Sequence, residues 1–154
     1  MTTPINPPNK RAGAPVIISR VLAAPCDRVY RAWTEPTQLA QWFSPQEVEC
    51  RSLTADVKPG GTYRIQMVSA KCNSVIVGQY LEVIPGRRLR FTWQPESYPM
   101  PDSVVTVDFE DLGGSTRLTL THTGFPDQED SDDHNEGWTS LVAKCDRLLA
   151  QNKI

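Results

Sequence analysis

The chain has 154 residues, a net charge of −2 and 39% hydrophobic residues, which is enough apolar material for one folded domain. This composition excludes a disordered chain, a collagen-like fibre and a coiled coil. No apolar run approaches the roughly 18 residues of a membrane span. The slightly negative charge gives no basic field for nucleic acid, so we expect neither a membrane span nor a nucleic-acid partner.

The N-terminal segment differs in composition from the rest of the chain. Its first 15 residues hold four prolines and almost no large apolar side chain. Burial cannot offset the entropy of ordering such a segment. We therefore predict a flexible arm over residues 1–14 and one domain over residues 15–154.

The cysteines do not predict a metal site or a disulfide. They stand far apart in the chain, without a CxxC pair: Cys26, Cys50, Cys72 and Cys145. Structural zinc sites use close ligand pairs, so we expect no metal and no other cofactor. No secretory hydrophobic segment precedes the domain, which favours free thiols and a cytoplasmic location.

The first elements are predicted to be one strand and two short helices. Apolar residues over 16–22 suffice for one strand. Val29, Tyr30 and Trp33 then follow at helical spacing, and Pro36 opens a second short helix that Ser44-Pro45 ends.

From residue 48 the apolar residues recur with a period of two, which is typical of strands with one buried face. Short turns rich in Gly and Pro separate the alternating runs and imply antiparallel neighbours. The pattern predicts a meander of six strands over residues 48–123. In its third run one face is expected to carry four aliphatic residues: Val75, Val77, Leu81 and Val83. A longer Pro-rich excursion over 94–102 is expected to place Tyr98 and Met100 at a rim.

The last element is predicted to be a long helix packed on the sheet. One stripe at 3.6-residue spacing carries its apolar residues: Trp138, Leu141, Val142, Cys145, Leu148 and Leu149. The acidic run from Asp127 to Glu136 is interpreted as a solvated loop leading into the helix N-terminus. Gly137 weakens a helix, so we expect it to mark close approach to a neighbouring element.

Marks along most of the chain, over about residues 15–150, together resemble the START-like, or helix-grip, superfamily. Within it they resemble the domain shared with the C-terminal part of the heat-shock-protein-90 ATPase activator. The marks are Pro25 with Val29, Ala32 and Trp33; Thr34-Glu35-Pro36; Leu39 with Trp42-Phe43-Ser44-Pro45; Pro59-Gly60-Gly61; Gly78 to Pro85; Leu89 to Trp93; Thr116 to Gly124; and Gly137-Trp138.

The resemblance implies an α+β fold, in which a seven-stranded antiparallel sheet curls around a long C-terminal helix and two short helices follow strand 1. It also implies an elongated hydrophobic cavity between sheet and helix. We therefore expect an apolar small molecule, such as a lipid, a polyketide or an aromatic compound, as the partner. The expected ligand-binding residues are Trp42, Phe43, Tyr63, Met67, Trp93, His122, Trp138, Leu141 and Val142.

Two other functions remain open. A cyclase- or hydrolase-like enzyme would use the same cavity and move protons with His122, His134 or Tyr63. His122 shares its strand parity with Leu118 and Leu120, and His134 lies one turn before Trp138, so both rings are expected at one cavity mouth. The alternative is that both histidines are hydrogen-bonded at element ends. A chaperone- or protein-interaction module is the third candidate function. A homodimer is compatible with all three, because the sequence does not fix the oligomeric state.

Overall fold

The computed structural model describes residues 11–44, 48–70 and 73–154. These residues form three helices and eight strands, in chain order β1 Val16–Leu22, α1 Cys26–Thr34, α2 Pro36–Trp42, β2 Glu49–Ala55, β3 Thr62–Val68, β4 Asn73–Ile84, β5 Arg88–Thr92, β6 Gln94–Pro95, β7 Val104–Asp111, β8 Thr116–Thr123 and α3 Gln128–Ala150.

All strands join one antiparallel sheet in the order β1-β8-β7-β5-β4-β3-β2, and the two-residue β6 pairs with β4 off this path. The N-terminal strand β1 thus closes one edge beside β8, the last strand of the meander. The predicted helix-grip fold is confirmed: α3 packs its apolar stripe on the sheet, and α1 and α2 cover the remaining inner face.

The core lies between the sheet and the three helices. Strands β7 and β8 contribute alternate residues, among them Val107 and Leu120, which are fully buried and directly opposite each other. The helix contributes the predicted stripe, including Leu141 and Cys145. Each inward residue is flanked by more exposed neighbours, which is the alternation expected for a sheet with one covered face.

The predicted face of β4 is only partly correct. Ile76 and Tyr80 are the buried residues of this strand, whereas the aliphatic residues at 75 and 77 are half-buried and the one at 81 is exposed. Ile76 lies opposite the buried Ile65 of β3, and opposite residues share a face. A register shift between Tyr80 and Glu82 then changes the parity, so Val83 does pack against the core.

The predicted start of the last helix is wrong. The acidic residues from 129 to 136 lie within α3, which begins at Gln128. Asp127 is the N-cap, and its side chain accepts a hydrogen bond of 2.9 Å from the backbone N–H of Asp130. This cap fixes the start nearly three turns before the apolar stripe becomes continuous. Glu129 and Asp130 lie in the first turn, where their negative charges interact favourably with the positive, N-terminal end of the helix dipole.

The structure also revises what was expected of Met100 and of the end of the N-terminal segment. Met100 is fully buried and does not lie at a rim, whereas Tyr98 is 40% exposed. Gly13 donates its backbone N–H to the Phe125 carbonyl, and Ala14 hydrogen-bonds Gln128 and Ser131 of α3.

The free thiols Cys26, Cys50 and Cys145 are described, while Cys72, Pro45 and residues 1–10 lie outside the described residues. Nowhere in the described ranges is there a helix long and apolar enough to cross a membrane.

Candidate functional site

An open groove of about 330 Å³ lies between the N-terminal half of α3 and the sheet at β3, β4 and β6. Its walls are mainly apolar and aromatic, and its polar groups lie on β4, on α3 and on the segment after β6. The lining residues are Phe43, Met67, Ser74, Ile76, Trp93, Pro95, Ser97, Tyr98, Asp133, His134, Gly137, Trp138 and Leu141. A concave apolar surface with a few polar groups is the usual form of a small-molecule site.

The structure places the nine expected ligand-binding residues in three locations. Five of them line the groove: Phe43, Met67, Trp93, Trp138 and Leu141. Three others, Trp42, His122 and Val142, are at most 1% exposed and lie behind the groove wall. Tyr63 lines a separate inner void, so the expected site is more divided than the sequence suggested.

The inner void is small and lies deeper between the sheet and the short helices. Its volume of about 20 Å³ is enough for about one water molecule. The lining residues are Trp33, Leu39, Phe43, Tyr63, Ile65, Tyr80, Phe91 and Trp93. Phe43 and Trp93, whose ring centroids are 6.0 Å apart, line both this void and the groove. The void and the groove therefore adjoin at these two rings.

Tyr63 is held in place by a hydrogen bond and by a glycine. Its hydroxyl donates to the Thr92 carbonyl at 2.5 Å. A Cβ at Gly78, the residue opposite it on β4, would lie 2.4 Å from the Tyr63 ring and 2.1 Å from the Thr92 carbonyl oxygen. Burial, and to a smaller extent Tyr80, raises the pKa of Tyr63 well above its usual value. Tyr63 is therefore a neutral, fixed hydroxyl and a poor proton carrier.

His122 is fixed as a neutral imidazole by two neighbours. The Trp138 indole Nε1 donates to His122 Nδ1 at 3.0 Å, and an indole N–H can only donate. Nδ1 therefore carries no proton, and Nε2–H donates to Ser103 Oγ at 2.6 Å. Burial, and next the nearby His134, lowers the pKa of His122 to about 3.

His134 has the opposite tautomer for the same kind of reason. Its Nδ1 lies 2.8 Å from the Asp130 carbonyl oxygen, which only accepts, so Nδ1 carries the proton. Its Nε2 accepts from the Trp93 indole Nε1 at 3.2 Å. The two histidine rings do meet, with centroids 5.2 Å apart. Their arrangement matches the hydrogen-bonded alternative, because a tryptophan occupies the free lone pair of each ring.

Tyr98 connects the segment after β6 to α3 across one end of the groove. Its hydroxyl donates to Asp130 Oδ2 at 2.6 Å. That hydrogen bond first, and then burial and the acidic side chains around it, raise the pKa of Tyr98 to about 12. The phenol therefore stays protonated at neutral pH and keeps this end of the groove polar.

Gly137 has a role that the sequence interpretation missed. It was expected to permit close approach of another element, but a Cβ built there meets no described residue within 4 Å. Gly137 instead lines the groove, so the space above its Cα belongs to the groove. The signal in the sequence was the glycine inside the helix; whether a neighbour or a groove fills the space beside it depends on the tertiary structure.

Within the described residues, no group of three or more His, Cys, Asp or Glu side chains is placed to hold a metal ion.

The sequence matches no protein of curated function. Among solved structures, it is similar to protein CV1439 of Chromobacterium violaceum, at 30% identity and a TM-score of 0.81, over 88% of this chain and 96% of that one. Protein NE0264 of Nitrosomonas europaea is 25% identical with a TM-score of 0.76, over 90% and 96% of the two chains.

DynU16, a protein of the dynemicin biosynthetic locus, shares the fold at 24% identity and a TM-score of 0.74, over 90% of this chain and 48% of that one. The family described as Activator of Hsp90 ATPase homolog 1-like protein matches residues 23–150, which is most of the domain. That match agrees with the helix-grip order of strands and helices. The chain therefore belongs to the Activator of Hsp90 ATPase homolog 1-like family.

Proposed function

We propose that this protein binds an apolar small molecule in the groove between α3 and the sheet. The observation that carries the proposal is Gly137, a glycine inside a long helix whose missing side chain leaves groove space open. A glycine there costs the helix about 0.5–1 kcal/mol relative to alanine. Close packing against another element does not explain why a glycine is kept at position 137. The need to keep a ligand site open does explain it.

The groove walls support an uncharged, partly aromatic ligand. Trp93 and Trp138, with ring centroids 4.9 Å apart, and Phe43 offer flat apolar surface for such a molecule. The volume of about 330 Å³ is at the small end of ligand sites, which favours a compact molecule over a long-chain lipid. The origin of DynU16 in a biosynthetic locus is in keeping with a small organic ligand.

The geometry favours binding over proton transfer. An enzyme that uses His122 or His134 as a base needs a lone pair facing the substrate, and both lone pairs accept indole N–H groups instead. Because neither histidine offers a free lone pair to the groove, binding is the better proposal. We extend it to a cytoplasmic protein, which the unpaired thiols Cys26, Cys50 and Cys145 support. A homodimer stays a prediction that native mass spectrometry tests.

The test fills the groove without disturbing the core. Gly137→Leu adds a side chain where nothing stands within 4 Å of the Cβ position. The variant should be at least as stable as the parent, because leucine is a better helix former than glycine. Its affinity for the uncharged fluorescent probe N-phenyl-1-naphthylamine should fall about tenfold or more, because the leucine occupies ligand space.

Gly114→Leu is the matched control, since Gly114 also has open space around its Cβ position but lies in the turn between β7 and β8. It should bind the probe as the parent does. Equal binding by parent and Gly137→Leu would place the probe outside the groove, and no binding by the parent would refute an apolar ligand of this size.

A further inference from the structure

Trp33 of α1 has a buried donor that nothing in the described structure accepts. The side chain is 3% exposed, and its Nε1 is the one buried side-chain nitrogen or oxygen without a hydrogen-bond partner among the described residues. The other three tryptophans are satisfied: Trp42 donates to the Ala32 carbonyl at 2.8 Å, and Trp93 and Trp138 donate to histidines. A buried N–H without an acceptor destabilises a fold, so an exception needs an explanation.

The ring of Trp33 borders the inner void of about 20 Å³. It stacks on Trp138 at 6.4 Å and 21° and contacts Trp42 at 4.6 Å between centroids, so its position is fixed by the aromatic cluster. Phe43 and Trp93 line both this void and the groove, so the two cavities adjoin at these rings. A ligand group that displaces one of the two rings from the groove side would therefore reach the void beside Trp33.

The void selects the kind of group that enters. Its volume suits one or two non-hydrogen atoms and excludes a ring. Its walls are mainly aromatic and aliphatic and carry no Lys, Arg or His side chain, so a carboxylate or phosphate would lose its hydration without gaining a counter-charge. A carbonyl oxygen has the right size, is uncharged and accepts a hydrogen bond.

We propose that the ligand of the groove carries a ketone- or ester-type carbonyl, which enters the void by displacing the Phe43 or Trp93 ring and accepts a hydrogen bond from Trp33 Nε1. This inference rests on the proposed function and names the chemical class of its ligand. The apolar body of the ligand stays against Trp93 and Trp138 in the groove. Trp33 would then be the specificity-determining residue that distinguishes a carbonyl compound from a hydrocarbon of the same shape.

Two matched probes test the proposal: 2-acetylnaphthalene and 2-isopropenylnaphthalene, which differ only in C=O against C=CH₂. The ketone should bind about tenfold more tightly, because it satisfies a donor that the alkene leaves unpaired. In ¹H–¹⁵N spectra of the whole protein, the ketone should move the Trp33 indole N–H signal downfield and the alkene should not. The Trp33→Phe variant, which loses one signal, assigns it.

Comparing the ratio of the ketone and alkene affinities between variants isolates the contribution of the Trp33 indole N–H. Trp33→Phe keeps an aromatic ring and removes the N–H, so the ratio should fall from about ten to about one. Trp42→Phe is the matched control, because its N–H already donates to Ala32 and Trp42 lines neither the groove nor the void. That variant should keep the ratio. The signal shift in the parent protein decides the question even if a variant folds poorly.

The outcomes separate the two proposals. Tight binding of both probes with equal affinity and an unmoved Trp33 signal would overturn the carbonyl assignment and leave the apolar site intact. A Trp33 N–H that exchanges magnetisation with a resident water and stays unmoved when the ketone binds would also overturn it. If neither probe binds to the parent protein, the proposed function fails, and the inference fails with it.

Discussion

His122 should make the stability of this protein fall between pH 7 and pH 5. Its folded-state pKa is about 3, chiefly because burial removes water from the ring and secondarily because His134 lies nearby. In the unfolded chain the same imidazole titrates near its ordinary value of about 6.5. The unfolded state therefore binds a proton that the folded state does not, throughout the window between those two values.

The sign and size follow from proton linkage. A folded-state pKa below the unfolded-state value gives stability that is complete above about pH 6.5 and is lost progressively as the pH falls toward 3. Between pH 7 and pH 5 the loss amounts to about 2 kcal/mol, since each unit of pH below the unfolded pKa costs about 1.4 kcal/mol. That is a large fraction of the roughly 5–15 kcal/mol by which a domain is stable.

The assay is urea unfolding at pH 7, 6 and 5, followed by far-ultraviolet circular dichroism, on the parent and on His122→Gln. The glutamine amide does not titrate, and it can still accept from Trp138 and donate to Ser103. The carboxylates are present in both proteins, so their contributions cancel in the difference. The parent should lose about 2 kcal/mol more than the variant between pH 7 and pH 5. An identical loss in both proteins would show that the folded state accepts a proton on His122 and would refute the neutral, buried imidazole.

Three further predictions concern the core, the thiols and the N-terminal arm. Replacing the buried Trp138 with alanine should cost about 3–5 kcal/mol in urea unfolding, because it leaves a cavity and an unsatisfied His122; a neutral result would contradict the packing of α3 on the sheet. Thermal melts with and without reductant should coincide if all thiols are free, whereas a drop of several degrees on reduction would reveal a disulfide. Deleting residues 2–12 should change the free energy of unfolding by less than about 1 kcal/mol, while extending the deletion through Ala14 should cost more, because Ala14 hydrogen-bonds α3. A substantial loss from the shorter deletion would mean that residues 2–12 also pack on the domain.

The sequence by itself determined the order and type of the elements and the face of most strands. Alternation along β7 and β8 predicted that Leu118, Leu120 and His122 point inward, and all three are buried. Helical spacing from Trp138 onward predicted the packed face of α3. These features are periodic along the chain, so a local pattern carries them.

The sequence prediction failed where the local pattern of apolar residues was incomplete, at the start of α3 and within β4. The stripe of α3 begins after the acidic turns, so it could not indicate the true start at Gln128, which the Asp127 cap decides. In β4 the pairing with β3, β5 and β6 and the register shift after Tyr80 decide which residues face the core. Pairing partners are remote in sequence, and a shift by one residue moves side chains to the other face.

Only the tertiary structure decided the chemistry of the site. Trp138 and Trp93 come from different elements to occupy the lone pairs of His122 and His134, which turns two candidate bases into fixed hydrogen-bond acceptors. Among the described residues, the same packing leaves Trp33 without an acceptor and Gly137 beside open space. Each of these facts concerns which atoms lie within a few ångströms of a given group, and that depends on how the sheet, α1 and α3 pack together, which residue type and spacing along the chain do not specify.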